Sequence, residues 1–93
     1  MIVGVTTWEL HLEGCHSLKD KRHILRSLKD RMRARFNVSV AETDHNDLWQ
    51  RAELTACVVS NQRTHAREVL QQVDRMVASA AGARVMDQST SFL

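Results

Sequence analysis

NVSVAETDHNDLWQRAELTACVVS, residues 37–60, decides the fold. At its start Val38 and Val40 alternate with polar residues. At its end Ala52, Leu54, Ala56 and Val58 alternate with Glu53, Thr55, Cys57 and Val59. A period of two marks β-strands, over 37–42 and Gln50–Ser60. Between them Asp44, Asn46 and Asp47 are turn formers, whose short polar side chains bond nearby backbone. The stretch is therefore a hairpin, and the segments on either side of it fix the topology.

Upstream, Leu18, Ile24, Leu25, Leu28, Met32 and Phe36 recur at helical spacing and occupy about one third of the wheel, so residues 18–35 form an amphipathic helix. Ser17, with Asp20 three residues on, makes a capping pair for its first turn. Before the helix, Ile2 to Leu12 alternates again. Ile2, Thr6, Trp8, Leu10 and Leu12 face the core, and Val3, Val5, Thr7, Glu9 and His11 face away. Gly4 marks either a bulge or the close approach of another backbone. Downstream, Asn61 is placed to cap a second helix whose apolar face is Ala66, Val69, Leu70, Val73, Met76, Val77 and Ala80. Gly82 follows as a left-handed terminator. A last strand covers Ala83–Leu93. The order β-α-β-β-α-β predicts one α+β domain over 1–93, a ferredoxin-like βαββαβ sandwich. Right-handed crossovers put both helices on one face of a four-stranded antiparallel sheet, with the first and third strands central.

Composition bounds the function. The chain has 93 residues, 43% hydrophobic and 26% charged, with three glycines and no proline. That is an ordinary globular balance and leaves little room for disorder. Two cysteines do not make a disulfide framework. MIVGVTTWEL lacks a basic leader, and no apolar run approaches the ~18 residues of a membrane span. The expectation is a cytoplasmic protein with free thiols and no membrane contact. The net charge of +2 hides an asymmetry: residues 17–36 carry eight basic and two acidic side chains, for +6, and the remainder sums to −4.

Three motifs, SLKDKR at 17–22, RFNVSVAE at 35–42 and DLWQRA at 47–52, resemble the signatures of domain-of-unknown-function family 503, the YlxP-like bacterial proteins. The resemblance spans essentially the whole chain. It implies a ferredoxin-like fold and no established activity, so no catalytic residue carries over. Some relatives are encoded among translation-initiation and ribosome-maturation genes, which associates the family with the ribosome. Many relatives have proline where this chain has Glu13, so the exit from the first strand is a point of difference.

The candidate sites follow from charge and exposure. Lys19, Arg22, Arg26, Lys29 and Arg33, spaced 3, 4, 3 and 4, lie within an arc of about 80° and extend ~21 Å along the first helix. Such a row matches a phosphate backbone, which makes RNA or the ribosome the expected partner. The bland alternative is a solvated face whose stems cover the core edge. Base stacking on the sheet is disfavoured, because the outward positions Val3, Val5, Thr7, Glu9, Glu53, Thr55, Cys57 and Val59 include no aromatic. Val3, Val5, Cys57 and Val59 instead form a mildly apolar patch suited to a homodimer through the open sheet face.

His11, Cys15, His16 and His23 lack the paired spacing of a zinc site, so no metal or cofactor is assigned. Cys15, just before a helix N-terminus, is a candidate reactive thiol, and the bland alternative is an ordinary loop cysteine. Asp44, His45 and Asp47 offer acid–base chemistry on paper. A turn tip, however, neither holds nor shields such groups, and there His45 is expected to be solvated. Trp49 is out of place in a solvated turn. It either packs back over the helix ends or, with Arg51, anchors a partner. The sequence thus favours a non-enzymatic module that contacts RNA or the ribosome through its first helix. The alternative is a homodimeric structural or regulatory protein that binds a protein partner through the hairpin around Trp49. A small enzyme using Asp44, His45 and Asp47 comes third.

Overall fold

A computed structural model describes residues 1–93. Its elements are β1 (Ile2–His11), α1 (Leu18–Arg35), β2 (Ser39–Asp44), β3 (Arg51–Ser60), α2 (Arg63–Ala78) and β4 (Arg84–Phe92). The sheet order is β2-β3-β1-β4 and every neighbouring pair is antiparallel, so the βαββαβ sandwich forms with β1 and β3 central. Central strands need one largely apolar side, and these two supply it: Trp8 and Leu10 from β1, with Leu12 just beyond it, and Ala52, Leu54, Ala56 and Val58 from β3. Leu25, Leu28 and Met32 of α1 and Ala66, Leu70, Val73, Met76 and Val77 of α2 close the layer. Each large side chain sealed there contributes ~1.5–3 kcal/mol, so the alternation in β1 and β3 dominates the choice of fold.

Two of the polar groups caught in this layer, those of Trp8 and Thr6, are paired. The fully buried Trp8 indole donates from Nε1 to Asp74 Oδ1 at 2.8 Å, which ties β1 to α2. Thr6 Oγ1 lies 2.8 Å from Thr90 Oγ1 across the β1–β4 pair. Gly4 sits on the core side, where a Cβ would come within 2.8 Å of Leu70 Cδ1, 3.2 Å of Val58 Cγ1 and 3.3 Å of Phe92 Cε1. The close approach there is of side chains rather than of another backbone, and the register breaks lie elsewhere. One falls between Glu9 and Leu10 against β4, the other between Glu42 and Asp44 against β3.

The ends of α1 fall where the sequence places them. Ser17 Oγ accepts from the Asp20 amide at 3.1 Å, and Asp20 Oδ2 accepts from the His16 amide at 3.1 Å. This reciprocal cap is worth on the order of 1 kcal/mol. The second helix departs from expectation at both ends. Gln62, not Asn61, occupies the cap position and makes no side-chain cap bond; its amide donates instead to Ser60 Oγ at 3.1 Å. A serine turn two residues upstream has taken the first orphan amide. Gly82 is left-handed, with φ of 81°, but it belongs to the turn into β4 and not to the end of α2 at Ala78. Ala80 and Ala83 stay buried, so the chain follows the core past the helix before it reverses. β2 reaches Asp44 rather than stopping at 42, because the bulge at Thr43 restores pairing of Asp44 with Glu53. No helix is long and apolar enough to cross a membrane.

Candidate functional site

The hairpin is held from below by a buried lysine. Lys21 is 2% exposed, and its Nζ donates to His45 O at 2.6 Å and to Leu48 O at 2.8 Å. Glu42 Oε2 approaches at 2.6 Å, a charge contact that lies outside hydrogen-bond angles. Three oxygens from β2 and the turn thus surround one ammonium. The Leu48 amide bonds His45 O at 3.0 Å, so Lys21 grips both ends of the same tight turn. Sequence reasoning counted Lys21 only as one more surface charge. Its signal was positional: Leu18, Leu25, Leu28 and Met32 leave a gap in the apolar stripe, and residue 21 fills it. A lysine at such a position has to find oxygen partners.

His45 corrects the expectation of a solvated tip. It adopts φ of 63°, and its ring folds over the open sheet face with its side chain 18% exposed. Nε2 lies 3.1 Å from Glu9 Oε2 and 3.3 Å from Oε1, a contact that requires the proton on Nε2. Arg51 Nη2 reaches the same carboxylate at 3.3 Å. The bulge explains the reach: the extra residue, Thr43, turns onto the open face and bonds Glu53 Oε1 at 2.6 Å and Thr55 Oγ1 at 2.8 Å. The added twist swings the next residues over β1. Asp44 borders this cluster, its Oδ1 3.9 Å from His45 Nδ1, and Asp47 does not join it. Asp44 Oδ1 accepts from the His45 amide at 2.8 Å as a turn former, and Asp47 is exposed.

Trp49 is only half covered by the fold. It is 51% exposed beside Leu48 at 46%. The two line an open hollow of about 640 Å³ with His11, His16 and Arg51. The backbone beneath them is fixed, since Leu12 N donates to Gln50 O at 2.9 Å and the Gln50 side chain donates to Cys15 O at 3.3 Å.

Of the α1 stripe, Lys19, Arg22 and Arg26 are exposed and Lys29 is half-buried. None of these four is within ion-pair distance of a carboxylate. Arg33 differs. It donates from Nη2 to Val40 O at 2.9 Å and lies 3.8 Å from Asp30 Oδ1. That contact places the stripe along β2, which is an edge strand of the sheet.

On the open sheet face the register sets Val3 beside Val59 and Val5 beside Cys57. Val59 is 65% exposed, and Leu93 extends the same end by pairing its backbone with Val3. Of the two readings of Cys15, burial favours the bland one. Cys15 is fully buried, and burial pushes its thiol above the ordinary value; Asp20 adds to the rise and Lys21 opposes it. Lost hydration disfavours the thiolate, which is the nucleophilic form. At pH 8 a small alkylating reagent is expected to modify Cys57 at least about 100-fold faster than Cys15, because Cys15 reacts only through local opening. Mass spectrometry of the alkylated peptides checks this order.

Comparison with known proteins agrees with this architecture. The model of a family described as "Protein of unknown function (DUF503)" matches residues 3–90. The uncharacterized protein YlxP of Bacillus subtilis (strain 168) is 33% identical over 72 residues, covering 77% of this chain and 78% of its own. Among solved structures, a de novo designed protein with a ferredoxin fold superposes with a TM-score of 0.52 at 13% identity, over 100% of this chain and 83% of its own.

Proposed function

The chain belongs to the DUF503 family of proteins of unknown function, and we propose that it is a non-enzymatic binding module that contacts RNA or the ribosome through the basic helix α1. The observation that carries this reading is the free state of the stripe: Lys19, Arg22, Arg26 and Lys29 have no carboxylate partner, although the chain holds 11 acidic residues. Cations kept only for solubility are commonly interspersed with acids. A one-sided row ~15 Å long from Lys19 to Lys29 suits successive phosphates. The proposed setting is the cytoplasm, and the two free thiols fit it. Co-sedimentation with ribosomes and with total RNA tests the reading. Binding is expected at about 50 mM salt, to weaken steeply by about 200 mM, and to be lost after nuclease treatment. Absence of binding at low salt overturns it.

A second reading is favoured by a separate observation, the apolar end of the open sheet. Val3, Val5 and Val59, with Leu93, offer a self-complementary patch for a homodimer. The pinned Leu48–Trp49 pair, next to Arg51, would then meet a protein partner. Sedimentation equilibrium is expected to show a dimer that Val59→Lys converts to monomer. A wild-type monomer at high concentration contradicts the dimer, and partner retention by Trp49→Ala contradicts the hairpin contact.

A further inference from the structure

The α1 stripe is not the only cationic feature of the helical layer. A groove of about 530 Å³ runs between the two helices, and Arg31 and Arg35 of α1 line it together with Arg75 of α2. No acidic side chain lines it, and none of the three arginines is within ion-pair distance of a carboxylate. Their existing contacts are slight. Arg31 donates from Nε to Ser27 O at 3.4 Å, and the Arg35 guanidinium lies 5.4 Å from the Phe36 ring centre. The terminal nitrogens stay free to donate, and Gln72 adds an amide to the same wall.

Helix dipoles give part of the explanation, since Arg35 and Arg75 lie in the last turns of their helices. They do not explain why guanidiniums from two helices share one groove with Arg31 and with no acid among them. Like charges gathered in this way repel, and an anion relieves the repulsion. Guanidinium forks match the oxygens of phosphate in geometry as well as in charge.

We propose that the groove between α1 and α2 is a phosphate-binding site, with Arg31, Arg35 and Arg75 as its ligands. The site does not depend on the stripe, which lies on the flank of α1 beside β2. Two sources share the chemistry: a backbone phosphate of an RNA held against α1, or a free di- or oligophosphate.

Titration with inorganic pyrophosphate and with a single-stranded RNA oligonucleotide, each followed by amide chemical shifts at low salt, tests the proposal and separates the sources. For at least one probe, saturable shifts at Gln72 and Arg75 are expected, with affinity falling at least about 10-fold in Arg31→Gln/Arg75→Gln. If RNA alone shows the groove-dependent loss, the site takes a backbone phosphate; if pyrophosphate alone does, it takes a free ligand. If neither probe binds saturably, or the Arg31→Gln/Arg75→Gln variant keeps wild-type affinity for both, the proposal fails. Failure of RNA to bind anywhere leaves the pyrophosphate arm intact, so the groove and the stripe are judged separately. Arg31 and Arg75 are exposed, and an unchanged melting curve confirms that the variant folds.

Discussion

Lys21→Met is expected to destabilise the fold by about 3–5 kcal/mol, the largest effect of any substitution of a charged residue on α1. Methionine preserves much of the stem volume, so the loss falls on the ammonium. Without it the carbonyls of His45 and Leu48 lose a donor, and Glu42, only 18% exposed, keeps a carboxylate with no cation beside it. For a domain of this size, 3 kcal/mol corresponds to a melting temperature lower by ~12 °C or more. The turn should loosen as well, with faster hydrogen exchange at the Leu48 amide, which bonds the same His45 carbonyl. A Lys21→Met/Glu42→Gln double variant should recover only part of the loss, because the two carbonyls remain unserved. Denaturant melts read the stability. A loss under about 1 kcal/mol in Lys21→Met means that the ammonium does not hold the hairpin.

The second large effect is on binding rather than folding. Arg22→Glu/Arg26→Glu/Lys29→Glu is expected to weaken RNA affinity by more than about 100-fold near 100 mM salt. Each change removes one phosphate contact and sets a carboxylate in its place. None of the three side chains makes an ion pair in the folded chain, so stability should change little. Fluorescence anisotropy with a labelled oligonucleotide, beside a thermal melt of the same sample, separates the two effects. The same triple change should release the protein from ribosomes. Arg33 is left out of the set because its bond to Val40 O ties it to β2, and its loss would confuse folding with binding.

What the sequence made legible was whatever repeats. The alternation in Ile2–Leu12 and Gln50–Ser60 named the central strands and their buried sides, since a slip of one residue would have exposed Trp8 and Leu54. The capping pair of Ser17 and Asp20 set the start of α1, because its geometry is local. The basic stripe was visible as spacing on one helix, and the structure adds only that it borders β2. What escaped was non-local. Lys21 interrupts an apolar stripe, but its partners are 21 to 27 residues away, so nothing nearby announced that it turns inward. His45 seemed destined for solvent because the bulge at Thr43 that redirects it depends on pairing with β3. The arginine groove needs two helices side by side, and neither helix alone suggests it. Trp49, by contrast, was visible as an oddity in the sequence, and the structure adds that it is half exposed above a backbone that Lys21 and Gln50 hold in place.

The salt dependence of RNA binding tests the central claim most directly. With about four phosphates engaged by Lys19, Arg22, Arg26 and Lys29, and about −0.7 per phosphate for a single strand, log K against log salt should fall with a slope near −3. In Arg22→Glu/Arg26→Glu/Lys29→Glu the slope should flatten to about −1 or disappear with binding itself. A wild-type slope near zero, or identical slopes for the two proteins, would contradict an RNA contact made by α1.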